Sequence, residues 1–85
     1  MHIVFHKNFK KQTAKFKTLK TKIDQRLILF IDDPFNPVLN NHPLLGKYKG
    51  YRSINITADY RAVYEAIQDN IALFITLDKH SNLYK

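Results

Sequence analysis

Cysteine and tryptophan are absent from this 85-residue sequence, and glycine occurs only at Gly46 and Gly50. Without cysteine there is no disulfide, thiolate nucleophile, cysteine-based zinc site or iron–sulfur cluster, and a reducing cytoplasm is the expected compartment. Two glycines cannot build a glycine-rich phosphate loop or a dinucleotide fingerprint. Their G-x-x-x-G spacing matches a membrane helix-packing motif, but the intervening Lys47, Tyr48 and Lys49 exclude that setting. Long apolar runs are also missing. The longest, Leu27 to Ile31 and Ile71 to Ile75, have five residues, against about 20 for a membrane span. The opening Met1-His2-Ile3-Val4-Phe5-His6 is too short an apolar stretch for a secretory signal, so a cytosolic product with no membrane partner is expected. No serine stands in a G-x-S-x-G elbow and no histidine pair in an H-E-x-x-H helix. His2 and His6 in a predicted strand would lie about 13 Å apart at about 3.3 Å per residue. Neither a metal nor another cofactor is expected.

What is present is apolar content spread along the whole chain: 45% hydrophobic residues, with six Phe and five Tyr. That suffices for one core, and the length leaves no room for a second, so residues 1–85 are read as a single domain. The charge is uneven. Residues 1–30 carry eight cations against Asp24 alone, whereas residues 31–85 carry six of each sign. The basic block, from Lys7 through Lys11 and Lys15 to Arg26, makes a field that steers toward phosphate polyanions. A solvated helix face is the alternative role for the same lysines.

From Lys7 to Asp33 there is neither glycine nor proline, and Phe9, Phe16, Leu19, Ile23, Leu27, Phe30 and Ile31 fall mostly at helical spacings. One continuous helix would run about 40 Å at 1.5 Å per residue, so a helical hairpin is predicted. Its bend belongs at Thr18–Thr21, the weakest helix formers, with Asn8 capping the first helix and Thr18 or Thr21 the second. Asp32-Asp33-Pro34 ends the second helix, the acidic pair ordering the following turn. Beyond a loop the period changes. Residues 51–56, 60–67 and 71–77 are β-rich runs separated by hairpin-length connections. The last is apolar almost throughout, so it is expected inside the sheet with both faces covered. With residues 2–5 as a further strand, the fold class is α+β: an N-terminal strand, a helical hairpin and a three-stranded antiparallel meander. The four-stranded sheet carries both helices on one face and leaves the other for a ligand.

Polar chemistry concentrates in His42-Pro43-Leu44-Leu45-Gly46-Lys47-Tyr48-Lys49-Gly50-Tyr51-Arg52, in Asp59-Tyr60-Arg61, and in Asp78-Lys79-His80-Ser81-Asn82-Leu83-Tyr84. Metal-free RNA cleavage needs a base for the 2′-OH proton, an acid for the leaving 5′-oxygen and cations for the charge on phosphorus. Imidazole, phenol and guanidinium groups supply these roles, and rings beside cations can stack unpaired bases.

Taken in order, these three segments resemble the RelE/ParE superfamily of bacterial toxins, and within it the YafQ-like RelE branch. Relatives there carry H-P-L-x-G-x-[WY]-K-G-Y-R, a D-[WY] or D-Y-R strand start and a G-T-H-S-x-L-[FY] tail. The resemblance implies a type II toxin–antitoxin toxin that cuts ribosome-bound mRNA by metal-free 2′-OH attack. Its implied partners are a cognate antitoxin, the ribosome and mRNA, with operator DNA reached only through the antitoxin complex. It assigns His80 as general acid, His42 as base, Arg61 as the phosphorane-stabilising cation, Tyr84 as the aromatic of the tail and Asp59 as the acidic residue of the D-[WY] pair. Lys47, Lys49 and Arg52 are implied phosphate contacts, and Lys11 and Lys15 belong to the basic face. The sequence departs from the pattern at Asp78-Lys79, where relatives have Gly-Thr, at Thr76, where an arginine is expected, and at Asn55, where some carry histidine. A gyrase-binding toxin without nuclease chemistry, or a catalytically decayed antitoxin-binding homologue, are the alternatives. Simpler roles also stand beside the catalytic ones: His42 ordering a loop, Asp59 starting a turn, Arg61 and Glu65 forming a strand charge pattern.

Overall fold

The computed structural model describes residues 1–83. The β-prone Ile3-Val4-Phe5 stretch forms β1 (His2–Phe5), followed by α1 (Lys7–Lys15) and α2 (Lys20–Asp32). Phe16 and one 3₁₀ turn, Lys17–Leu19, join the helices, so the hairpin bends where the helix formers are weakest. The caps differ from expectation. His6 caps α1, its Nδ1 accepting from the Asn8 backbone N–H at 3.0 Å. Asn8 lies inside the helix, and its side-chain amide donates to the Ile75 carbonyl at 3.1 Å, tying α1 to the sheet. No threonine caps α2. The 3₁₀ turn runs straight into the helix, and the Lys17 carbonyl already accepts from the Lys20 N–H. At the far end Asp33 orders the turn as expected, accepting from the Asn36 side chain at 3.2 Å.

The remaining strands are β2 (His42–Pro43), β3 (Arg52–Asn55), β4 (Tyr60–Gln68) and β5 (Ile71–Lys79), and α3 (His80–Leu83) follows. They form a five-stranded sheet of order β1-β5-β4-β3-β2, with β1 parallel to β5 and the other pairs antiparallel. The predicted meander and N-terminal strand are present. The fifth strand, β2, corrects the expected count of four. Two residues, one of them proline, carry no strand periodicity, and proline is tolerated because β2 is an edge.

Both long helices cover one face of the sheet. Phe9, Ile23, Leu27 and Phe30 pack there against Ile54, Ala62, Tyr64, Ala72, Phe74 and Leu77. A register shift between Val63 and Tyr64 inserts an extra residue in β5, so Phe74 and Leu77 both reach this core although they are three apart. The opposite face has, among the described residues, only a small cluster, Leu44, Val63 and Leu83, flanked by Tyr48, Tyr51 and Ile75. β5 is therefore interior to the sheet, but the expectation that both its faces are covered is corrected: Ala72, Phe74 and Leu77 are sealed, whereas Leu73, Ile75 and Thr76 remain half-buried.

Truncating Phe74, fully buried among four other rings, leaves a cavity that close packing cannot absorb. Phe74→Ala is expected to lower unfolding free energy by about 3–5 kcal/mol. Urea titration followed by circular dichroism measures this, and a loss under about 1 kcal/mol would contradict the packing described.

Candidate active site

Residues directly opposite in neighbouring strands share a sheet face. One row runs His42, Ser53, Val63, Thr76, and another runs Asn55, Arg61, Asp78. Both lie opposite the helical layer, because the alternate residues Ile54, Ala62 and Tyr64 point into the main core. α3 closes over this open face through Leu83, which packs on Leu44 and Val63. Two of the sequence-predicted residues, His42 and Arg61, are thus brought to one face, with the tail helix that begins at His80 beside them.

The loop before β2 fixes the His42 ring. Asn36 Oδ1 accepts from the Val38 N–H at 3.0 Å, a 3₁₀ turn spans Pro37–Leu39, and Asn40 ends it in the left-handed region at φ 45°. The Asn40 carbonyl then lies 2.7 Å from His42 Nδ1. A carbonyl only accepts, so Nδ1 carries the hydrogen and, in the neutral ring, the lone pair is on Nε2.

Arg61 is held by the β3–β4 turn. Its Nη1 donates to the carbonyls of Thr57 and Ala58, both at 2.9 Å, and of Tyr60 at 3.2 Å. The Asp59 carbonyl accepts from the His80 backbone N–H at 2.7 Å, which docks the start of α3 on that same turn. Exposed Asp59, Lys79, His80 and Ser81 surround a hollow of about 340 Å³. Asp78, a departure from the motif, anchors the tail: its Oδ1 accepts from the Lys79 N–H at 2.7 Å and the Asn82 amide at 3.0 Å.

Other sequence-predicted residues lie elsewhere. Arg52 pairs across β3 and β4 with Tyr64, on the helix-covered side. Its Nε donates to Asn41 Oδ1 at 2.8 Å and its guanidinium stands 5.4 Å from the Phe35 ring. Lys47 and Lys49 are exposed on the loop between β2 and β3, with Lys47 Nζ 5.4 Å from the Tyr48 ring. Lys11 and Lys15 are exposed on α1, in the helical layer. Tyr84 lies outside the described residues. Among those residues no group of three His, Asp or Glu side chains could hold a metal ion, and no helix is long and apolar enough to cross a membrane.

Sequence reasoning missed Asn41 and Ser53, and noted Asn55 only as a departure from the family pattern. Asn41 donates to the buried Tyr64 hydroxyl at 2.8 Å and to the Pro34 carbonyl at 2.9 Å while accepting from Arg52. Ser53 Oγ and Asn55 Oδ1 are shielded from solvent and have no hydrogen-bond partner among the described residues. Such orphans are uncommon and cost about 1–3 kcal/mol each, and these two sit in the His42 and Arg61 rows. The period-2 pattern of β3 marked Ser53 only as a strand residue, and neither spacing nor motif reported the burial of either.

The mixed five-stranded sheet, with a helical pair on one face and a short terminal helix on the other, matches the fold of solved bacterial toxin structures. Among solved structures, YafQ from E. coli matches with TM-score 0.80 at 23% identity, covering 98% of this chain and 97% of that one. The E. coli DinJ–YafQ complex gives 0.77 at 23% identity over 98% and 97%. A YoeB/ParE toxin from Agrobacterium tumefaciens gives 0.75 at 24% identity over 94% and 99%. No curated protein matches this sequence. Residues 1–85 match the family described as bacterial toxin of type II toxin–antitoxin system, YafQ. The chain belongs to the YafQ toxin family.

Asn41→Ala removes the partner of a buried phenol and is expected to cost about 1–3 kcal/mol. Tyr64→Phe in the same background should recover part of that loss by removing the stranded hydroxyl. Denaturant unfolding of the single and double variants reads the coupling, and strict additivity would contradict the shared hydrogen bond.

Proposed function

We propose that the protein is an endoribonuclease that cuts mRNA on the ribosome. The attacking ribose 2′-oxygen forms a bond to phosphorus as the P–O5′ bond breaks, giving a 2′,3′-cyclic phosphate and a 5′-hydroxyl. His42 Nε2 takes the 2′-OH proton, and His80 returns a proton to the leaving 5′-oxygen. Arg61 offsets charge on the phosphorane, its guanidinium already oriented by the turn carbonyls. Asp59 contributes through its carbonyl, which holds the first residue of α3. Tyr84, the aromatic of the tail motif, orients the RNA or assists proton transfer, while Lys47 and Lys49, on one loop, draw the RNA backbone. Arg52 belongs in this reading to the support of the loop rather than to phosphate.

The observation that carries the proposal is the sharing of the sheet face opposite the helical pair by His42 and Arg61, with Ser53 Oγ and Asn55 Oδ1, which have no hydrogen-bond partner among the described residues, in the same rows. E. coli YafQ forms a complex with DinJ, and by the same logic a cognate antitoxin neutralises this protein in the cytoplasm. Operator DNA is met only through that complex.

Purified ribosomes programmed with a short mRNA, assayed for new 5′ ends, test the activity. His80→Ala and His42→Ala are each expected to slow cleavage at least about 100-fold, the lower range for removing a general acid or base. Circular dichroism should stay unchanged, and full activity in either variant would remove that residue from the chemistry. Lys11→Glu with Lys15→Glu should weaken ribosome association and flatten its dependence on salt. An unaltered salt slope would return these lysines to a solvated helix face.

A further inference from the structure

The open face holds a second hollow that the cleavage chemistry does not use. It measures about 420 Å³ and is lined by Tyr48, Tyr51, Glu65, His6, Ile75 and Thr76, among others. That volume lies within the roughly 300–1,000 Å³ of small-ligand sites. Glu65 is half-buried and makes no hydrogen bond or ion pair among the described residues, although the chain carries a formal charge of +7. A carboxylate on a face that meets RNA repels phosphate, so it serves only a group that brings hydrogen-bond donors. The two tyrosine rings, edge to face at 6.3 Å, offer a stacking wall. Across the hollow, His6 Nδ1 accepts from the Asn8 N–H, so the neutral ring carries its hydrogen on Nε2 and donates there.

We infer that this hollow is a nucleobase subsite selective for guanine. The inference rests on the reading of the protein as an RNA-cleaving toxin. A carboxylate presents two acceptor oxygens, and guanine alone among the four bases offers two adjacent donors, N1–H and the 2-amino group. Guanine O6, next to N1, is the acceptor for the imidazole N–H. Adenine and cytosine offer one amino donor beside an unprotonated ring nitrogen, and uracil flanks its single donor with two carbonyls. Glu65 faces Leu73 across β4 and β5, and His6 follows Phe5, the β1 residue opposite Phe74, so the two are separated by two strands and about two residues, about 12 Å between Cα atoms at about 4.8 Å per strand and 3.3 Å per residue. That gap accommodates a base between the two side chains. Lys47, over the Tyr48 ring at 5.4 Å, is placed to meet the phosphate of the same nucleotide. Tyr51 is two residues from Ser53, the cross-strand neighbour of His42, so the base would lie beside the nucleotide that is cut.

The test uses the full chain and a short uridine oligonucleotide with one central guanosine, 2′-O-methylated throughout so that it cannot be cleaved. Ring-proton NMR signals of Tyr48, Tyr51 and His6 are expected to move on titration. Inosine, which lacks the 2-amino group, should bind about tenfold more weakly, the loss of one charge-assisted hydrogen bond. In Glu65→Gln the carboxamide offers one donor and one acceptor, so guanosine should lose its advantage over inosine and adenosine should gain. Equal binding of all four bases, or no shift of these rings, overturns the subsite. Ribosomal cleavage assays with guanosine or inosine at each codon position separate the two readings. Ring shifts without any cleavage uphold the subsite and remove the nuclease. Cleavage indifferent to guanosine at every position, with silent rings, removes the subsite alone.

Discussion

The ring of Phe74 lies within 6.4 Å of the rings of Phe5, Phe9, Phe30 and Tyr64, and so touches β1, both long helices and the neighbouring strand at once. A chain this small has little surplus burial, and its aromatics are concentrated at one point of one face. Everything else follows from that allocation. With the helices committed to the Phe74 face, the other face of the same strands is left with Leu44, Val63 and Leu83 and stays available to a guest. The β5 bulge belongs to the same economy, since it lets Phe74 and Leu77 both reach the core while Ile75 and Thr76 line the open side.

The alternation of a strand then sorts side chains that sequence proximity would group together. Arg52 and Arg61 are both strand arginines beside tyrosines, yet their register sends them to opposite sides. Arg52 becomes part of a network with Asn41 and Tyr64 that holds the loop carrying His42. Arg61, on the open face, is oriented by three carbonyls of a turn that also receives the His80 N–H. One side supports the loop and the other carries the proposed site, and a one-residue slip of β3 would exchange the two.

Much of this was legible in the sequence for specific reasons. The spacing of Phe9, Ile23, Leu27 and Phe30 announced a helical face, and all four are buried. The three β-rich runs announced the meander within two residues at every end. β2 was not legible, because a pair of residues has no period and its pairing is settled by the loop that Asn40 and Asn41 fold. The caps were misread because His6 is an uncommon cap and its acceptor role depends on tautomer, whereas Asn8 found a stronger partner in the Ile75 carbonyl. For the proposed site, the sequence offered residue types but not their grouping on one sheet face. Ser53, Asn55 and Asn41 matter through burial and partners, which no linear spacing reports.

The tail shows how a motif can change while its mechanical purpose is kept. A Gly-Thr pair before the histidine leaves the backbone free to turn out of the last strand. Asp78-Lys79 lacks that freedom but brings a carboxylate that takes hydrogen bonds from the Lys79 N–H and the Asn82 side chain, pinning the first turn of α3 from both ends. The His80 N–H reaches the Asp59 carbonyl in the same turn that orients Arg61. Position 78 therefore bears on the site by fixing where α3 starts, and the arginine absent at Thr76 leaves Arg61, in the adjoining row, as the cation on this part of the open face among the described residues. The departures read together as a shift in how the tail is held, with the sheet face opposite the helices retained.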